Sequence, residues 1–148
     1  MTNLLSHLSS HGADEEAQQA AAAVLRYFNQ AAPMHHADEE IDLLPVLKQT
    51  ATDTDAALLQ QLMPEIIHQH EQMHAQWNNL DAQLRLIKDG SSMMLSASDV
   101  QQFSDSYLKH MEIEETNIAP MAKRIFSQQQ MQTLGAAMQA RRGISVTS

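Results

Sequence analysis

The sequence predicts an all-α fold, a bundle of helices, on three observations. Only four Gly and four Pro occur in 148 residues, and the chain is otherwise rich in Ala, Gln, Leu, Met and Glu, which favour helix. Strand signals are nearly absent. His and Glu recur at helical spacing in three clusters, in a chain without cysteine.

Residues 1–10 read as a short helical tail that stops at Gly12. Asp14 suits the cap of the next helix, with Glu15 and Glu16 in its first turn. That helix is Ala-rich from Ala17 and is expected to pass Pro33 with a kink and reach about Lys48. Residues 50–56 are a polar turn. A third helix runs from near Asp55 to about Lys88, with a kink or break expected at residues 63–64 because Pro64 lacks an N–H. Asp89-Gly90-Ser91-Ser92 is a turn. Ser98 or Asp99 caps a fourth helix reaching Pro120. Ser127 caps a last amphipathic helix ending at Arg141-Arg142-Gly143. Residues 144–148 are expected to fray. No linker divides the chain, so residues 1–143 are expected to form one domain.

Composition bounds the function. Apolar residues make up 43%, too many for a disordered chain. Nine basic against eighteen acidic residues give a net charge of −9. That argues against nucleic acid, whose binding rests on basic contacts to phosphate, and against anionic membrane surfaces. No stretch nears 18 apolar residues, and residues 1–11 lack a signal-peptide pattern. The expected compartment is the cytoplasm. Without cysteine there are no disulfides, iron–sulfur clusters or thiolate sites. Eight His, with Asp and Glu, are the candidate ligands, a set that suits iron, manganese or zinc.

The clusters are ordered. HHADEEIDLLPVL at 35–47 and HMEIEETNIAPMA at 110–122 share a pattern. His35, Glu39, Glu40 and Pro45 match His110, Glu114, Glu115 and Pro120 at a constant offset of 75. HQHEQMH at 68–74 lies between them. At about 100° per residue, Met63, Ile66, Ile67, His70, His74 and Trp77 form one stripe, with His68 pointing away. Phe103, Tyr107, His110, Glu114, Ile118 and Met121 form another. Val24, Phe28, His35, Glu39, Leu43 and Val46 form a third, with His36 and Glu40 about 100° round from it.

Any one inward His is most simply a satisfied core residue. Glu40 and Glu115 are most simply a solvated edge, and the ten Met core filler. The joint pattern outweighs these readings. Two Glu and four His facing inward from three helices need a shared counter-charge, since a buried unpaired carboxylate costs several kcal/mol or turns neutral. A di-metal centre supplies that charge.

At these motifs the chain resembles the hemerythrin-like (HHE cation-binding) family, over roughly residues 14–143. The resemblance implies an antiparallel up-down four-helix bundle around two non-haem iron ions bridged by carboxylates and an oxo or hydroxo group. It places metal ligands at His35, Glu39, His70, His74, His110 and Glu114, with Glu39 and Glu114 bridging. His36, Glu40, Glu71 and Glu115 stand as alternates or as partners that orient ligands. The Tyr107 hydroxyl is a further candidate to reach a bound ligand, although core packing is its simpler role. Mn or Zn would suit the same donors.

One departure concerns the first helix, where the family usually places another His. Asp14 to His35 is roughly 31 Å of helix, whereas residues 1–11 span at most about 16 Å. The chain is therefore expected to have a short or missing first helix and an extra C-terminal one. His7 and His11 are poor replacement ligands. The gap is explained by shortening of the chain, by a partner chain (a homo-oligomer), or by cover from residues 127–142. A ferritin-like centre needs Glu-x-x-His on two helices, and here Glu65/His68 and Glu71/His74 share one.

The resemblance implies binding or sensing of O2 or NO. The alternatives are a di-iron enzyme in peroxide or nitrosative-stress handling, or a metal-poor interaction bundle. The sequence offers no acid/base pair beyond the ligands, so binding is the simpler expectation than catalysis.

Overall fold

The computed structural model describes residues 1–143, and every regular element among them is helical. Helices α1 (Thr2–His11) and α2 (Glu15–Arg26) lead into a π turn, π1 (Tyr27–Ala31). Then come α3 (Ala32–Ala37), π2 (Asp38–Leu43) and α4 (Leu44–Thr50). The long α5 (Asp53–Lys88) precedes α6 (Ala97–Ile113), π3 (Glu114–Ile118), α7 (Ala119–Ile125) and α8 (Gln128–Arg141). The fraying expected of residues 144–148 lies outside the described residues.

Local chemistry sets most ends. Gly12 closes α1 at φ 69°, its N–H bonded to the Leu8 carbonyl. Asp14 caps α2 by accepting from the Ala17 N–H at 2.9 Å. Gly90, at φ 73°, turns the chain after α5. Ser127 and Gln130 form a reciprocal capping box on α8. One cap differs from expectation. Ser96, not Ser98 or Asp99, accepts from the Asp99 N–H, which leaves the Asp99 carboxylate to take the Asn79 and Gln83 amides.

The prolines explain the π turns. π1, π2 and π3 each end two residues before Pro33, Pro45 and Pro120. In each, the residue before the proline bonds five residues back: Ala32 to Tyr27, Leu44 to Glu39 and Ala119 to Glu114. A proline ring clashes with the carbonyl four residues earlier, and a widened turn makes room for it. The kink expected at Pro33 is therefore a π turn. Pro64 behaves differently: α5 runs through it without a break, and both Pro64 and Gln60, whose carbonyl loses its partner, are exposed.

An extra residue in a π turn rotates the downstream helix by about 100°. The inward stripe therefore shifts from the expected Leu43 and Val46 to Leu44 and Leu47, both fully buried.

The chain divides into two compact units, the first Met1–Ala32 with Glu71–Lys109, the second Pro33–His70 with the described residues from His110 on. In the first, Leu4 and Leu8 pack with Ala17, Ala21 and Leu25 of α2 and with Met73, Trp77, Leu80, Leu84 and Ile87 of α5. In the second, Leu44 and Leu47 pack with Leu59, Leu62, Ile66, Ile118 and Met121. There α8 ties back to π2: Arg141 and Arg142 both hold Asp38, and Arg141 also holds Asp42.

Candidate metal centre

The second unit gathers one ligand atom each from Glu39, His70, His110 and Glu114 within 4.8 Å of one another. Glu39 comes from π2, His70 from α5, His110 from the end of α6, and Glu114 opens π3. His110 is 1% exposed, Glu39 4% and His70 6%.

Two neighbours fix the ring tautomers. His70 Nδ1 lies 2.6 Å from Glu40 Oε1, and His110 Nδ1 lies 2.9 Å from Gln69 Oε1. Both oxygens are acceptors, so each Nδ1 donates, and either ring, when neutral, turns a lone pair outward at Nε2. The two Nε2 atoms are 3.2 Å apart. His70 Nε2 is 2.9 Å from Glu39 Oε2, and His110 Nε2 is 2.7 Å from Glu114 Oε1.

Electron-rich atoms thus face one another in a buried place. Both Glu39 oxygens and Glu114 Oε1 are buried without a well-aligned hydrogen bond. Such a cluster needs positive charge at its centre. The spacing suits an ion. Ligands about 2.1 Å from a metal, at right angles, stand about 3.0 Å apart. The donors fit a cation: two imidazoles with engaged Nδ1 atoms and two carboxylates converge at metal-ligand spacing.

His35 lies on the other side of the carboxylates. Its Nε2 is 2.9 Å from Glu39 Oε1 and 3.6 Å from Glu114 Oε2, and its side chain is 51% exposed. Each Glu therefore turns one oxygen toward the His70/His110 pair and the other toward His35.

Without a cation, protons supply the counter-charge. The Glu114 and Glu39 carboxylates raise His35 to about 10. For His110, burial opposes the charge, but the same two carboxylates outweigh it and raise the ring to about 9. Burial pushes the Glu39 carboxyl upward, and the close approach of the His110, His35 and His70 rings reverses that, holding it well below the usual carboxylate range. His36 is lowered to about 4 by burial and then by the facing His70.

The expected His70/His74 pair splits. His74 is exposed and belongs to neither group of converging ligand atoms found among the described residues. The buried seam of α5 runs Ile66, His70, Met73, Trp77, Leu80, Leu84 and Ile87. Its steps alternate three and four, close to the 3.5-residue period of packed helices. After His70 the step is three, so Met73 turns inward and His74 outward. His36 joins His70 and His110 in the second converging group, its ring stacked on that of His70 at 4.1 Å.

Of the other candidates, Glu40 orients His70, while Glu71 and Glu115 are exposed and in neither group. Tyr107 lies in the first unit, its hydroxyl 3.3 Å from that of Tyr27. There its ring meets Phe28 and Phe103, and Trp77 packs on the same two rings. His7, also in that unit, sits 2.7 Å from the Asp14 carboxylate. Gln69 and Asp38 were not singled out from the sequence. Nothing marks Gln69 among the many glutamines. Asp38 lay within the HHADEE motif, but its partners are about a hundred residues away.

A model of the Hemerythrin HHE cation binding domain matches residues 1–122. The chain belongs to this family. It is also similar to an uncharacterized protein of Haemophilus influenzae, 30% identical over 138 residues, which cover 93% of this chain and 77% of that protein. Helix α8 lies beyond the part of the chain that the family model matches. Among the described residues no helix is long and apolar enough to cross a membrane.

Proposed function

We propose that this protein binds two non-haem iron ions in its second unit and uses them to take up or sense O2 or NO. The observation that carries the reading is the two-sided presentation of Glu39 and Glu114. Their inner oxygens meet His70 and His110, and their outer oxygens meet His35. Carboxylates presented in this way could be shared between a pair of cations. The reading brings with it the family's antiparallel four-helix arrangement.

In this reading His70 and His110 hold the inner ion and His35 the outer one. Glu40 and Gln69 keep the inner rings in the ligating tautomer, a role that strengthens and orients a His ligand. The outer position has fewer protein donors and a half-exposed His35, which leaves room for a small ligand. Bound ferrous iron would supply the electrons and the open coordination position that O2 or NO requires. Imidazole with carboxylate also accommodates Mn and Zn, so the metal is part of the test.

Elemental analysis of protein grown with iron, together with optical spectra of the reduced protein under O2 and under NO, tests the proposal. About two irons per chain and a spectral change with either gas are expected. Less than one metal per chain overturns the reading. Iron without response to either gas leaves a metal store, and peroxide turnover points to the enzymatic alternative.

A further inference from the structure

We propose that His36 is the third imidazole ligand of the inner metal position, taking the place that the His-x-x-x-His spacing gives to His74. The inference rests on the metal reading above and specifies its ligands.

Three observations carry it. One nitrogen each of His36, His70 and His110 lies within 4.8 Å of the others. The His36 ring meets those two rings and hydrogen-bonds to no described residue, in contrast to His70 and His110, whose Nδ1 atoms are engaged. His74 is exposed, one step past the buried seam of α5.

The ring spacing agrees. An imidazole centroid stands about 3.2 Å from an ion that it ligates, so two rings at right angles have centroids about 4.5 Å apart. The observed separations are 4.1 Å for His36 with His70, 4.6 Å for His70 with His110 and 5.8 Å for His36 with His110, the last matching a wider angle at the ion. The His36 and His70 planes are only 16° apart. In-plane lone pairs of stacked rings do not meet, so ligation includes a turn of the His36 ring about its Cβ–Cγ bond. No described residue holds that ring by a hydrogen bond. The helix explains the division of labour: His35 and His36 are consecutive on α3 and point about 100° apart, one toward the outer carboxylate oxygens and one toward the inner imidazoles.

The test is a Co(II) titration of the metal-free full chain, read by visible absorption, on the wild type, His36→Gln and His74→Gln. Loss of a ligand should weaken Co(II) at the inner position tenfold or more in His36→Gln and change it less than twofold in His74→Gln. A His36→Gly variant with added imidazole should recover the wild-type Co(II) spectrum, which separates a lost ligand from a damaged fold. Unchanged affinity in His36→Gln, equal loss in both variants, or loss in His74→Gln alone overturns the assignment. Failure of the wild type itself to take Co(II) overturns the metal reading and this inference with it, and the wild-type titration alone reveals that outcome.

Discussion

The two copies of the His-x-x-x-Glu-Glu motif share spacing, π turn and proline, yet their surroundings are unlike. His110 is 1% exposed and faces His70, whereas His35 is half exposed and its Nε2 faces the Glu39 and Glu114 carboxylates. The residue before the Glu differs too. Asp38 is buried beneath Arg141 and Arg142, and its counterpart Ile113 packs on the apolar cluster of the second unit. Equal spacing therefore builds two unequal positions, an enclosed inner one and an open outer one. Burial and neighbours, not the motif, set the difference.

The strongest way to break the comparison is to remove what the copies share. Glu39→Ala should abolish most metal binding, because both positions lose an oxygen, and Glu114→Ala should come close to it. Glu112→Ala, at an exposed site, should keep full metal. Elemental analysis decides, and equal retention by all three would end the carboxylate assignment. Next in size is the contrast between the histidines. His110→Gln should empty the inner position, whereas His35→Gln should lower the content from about two ions to about one. Equal losses would mean that the inner and outer positions are not distinct.

The Asp38 clamp is specific to the first copy. Changing both Arg141 and Arg142 to Ala leaves a buried carboxylate without its cations, which should lower the melting temperature by roughly 10 °C. Ile113→Val, at the equivalent place in the second copy, should shift it by only a few degrees. Similar shifts would show that Asp38 is not held as described.

The smallest effect is in pH. His35 and His110 are raised to about 10 and about 9 in the metal-free protein, so both carry protons at neutral pH. Metal takes the neutral ring, so binding should release up to two protons and tighten as pH rises toward 9–10. The metal-free protein should respond in the opposite sense. A raised His contributes stability that is full below its unfolded value of about 6.5 and is lost as pH rises through its folded value. Calorimetry in buffers of different ionisation enthalpy counts the protons. Binding without proton release would contradict the protonated resting cluster.

Much of this was legible in the chain. Helix content came from composition, and the caps at Asp14 and Ser127 and the stop at Gly12 came from local hydrogen bonding, which depends on near neighbours alone. Glu39, His110 and Glu114 stood out because their spacing repeats, and His70 because it falls on the apolar stripe of its helix. His74 was misplaced because a straight 3.6-residue helix and a packed 3.5-residue seam diverge after His70, and the choice between them depends on neighbours elsewhere in the chain. The Leu43 and Val46 stripe failed for a local reason: the π turn before Pro45 adds a residue to the register.

The sequence by itself determined the helices, the repeated His/Glu motif and the likeness to a cation-binding family, since each is written in the order of near neighbours along the chain. Tertiary structure alone decided that Glu40 and Gln69 orient the rings, that Arg141 and Arg142 hold Asp38, and that His36 rather than His74 lies beside His70 and His110. Those pairings join residues 30 to 104 apart, and only the packing of helices sets such distances.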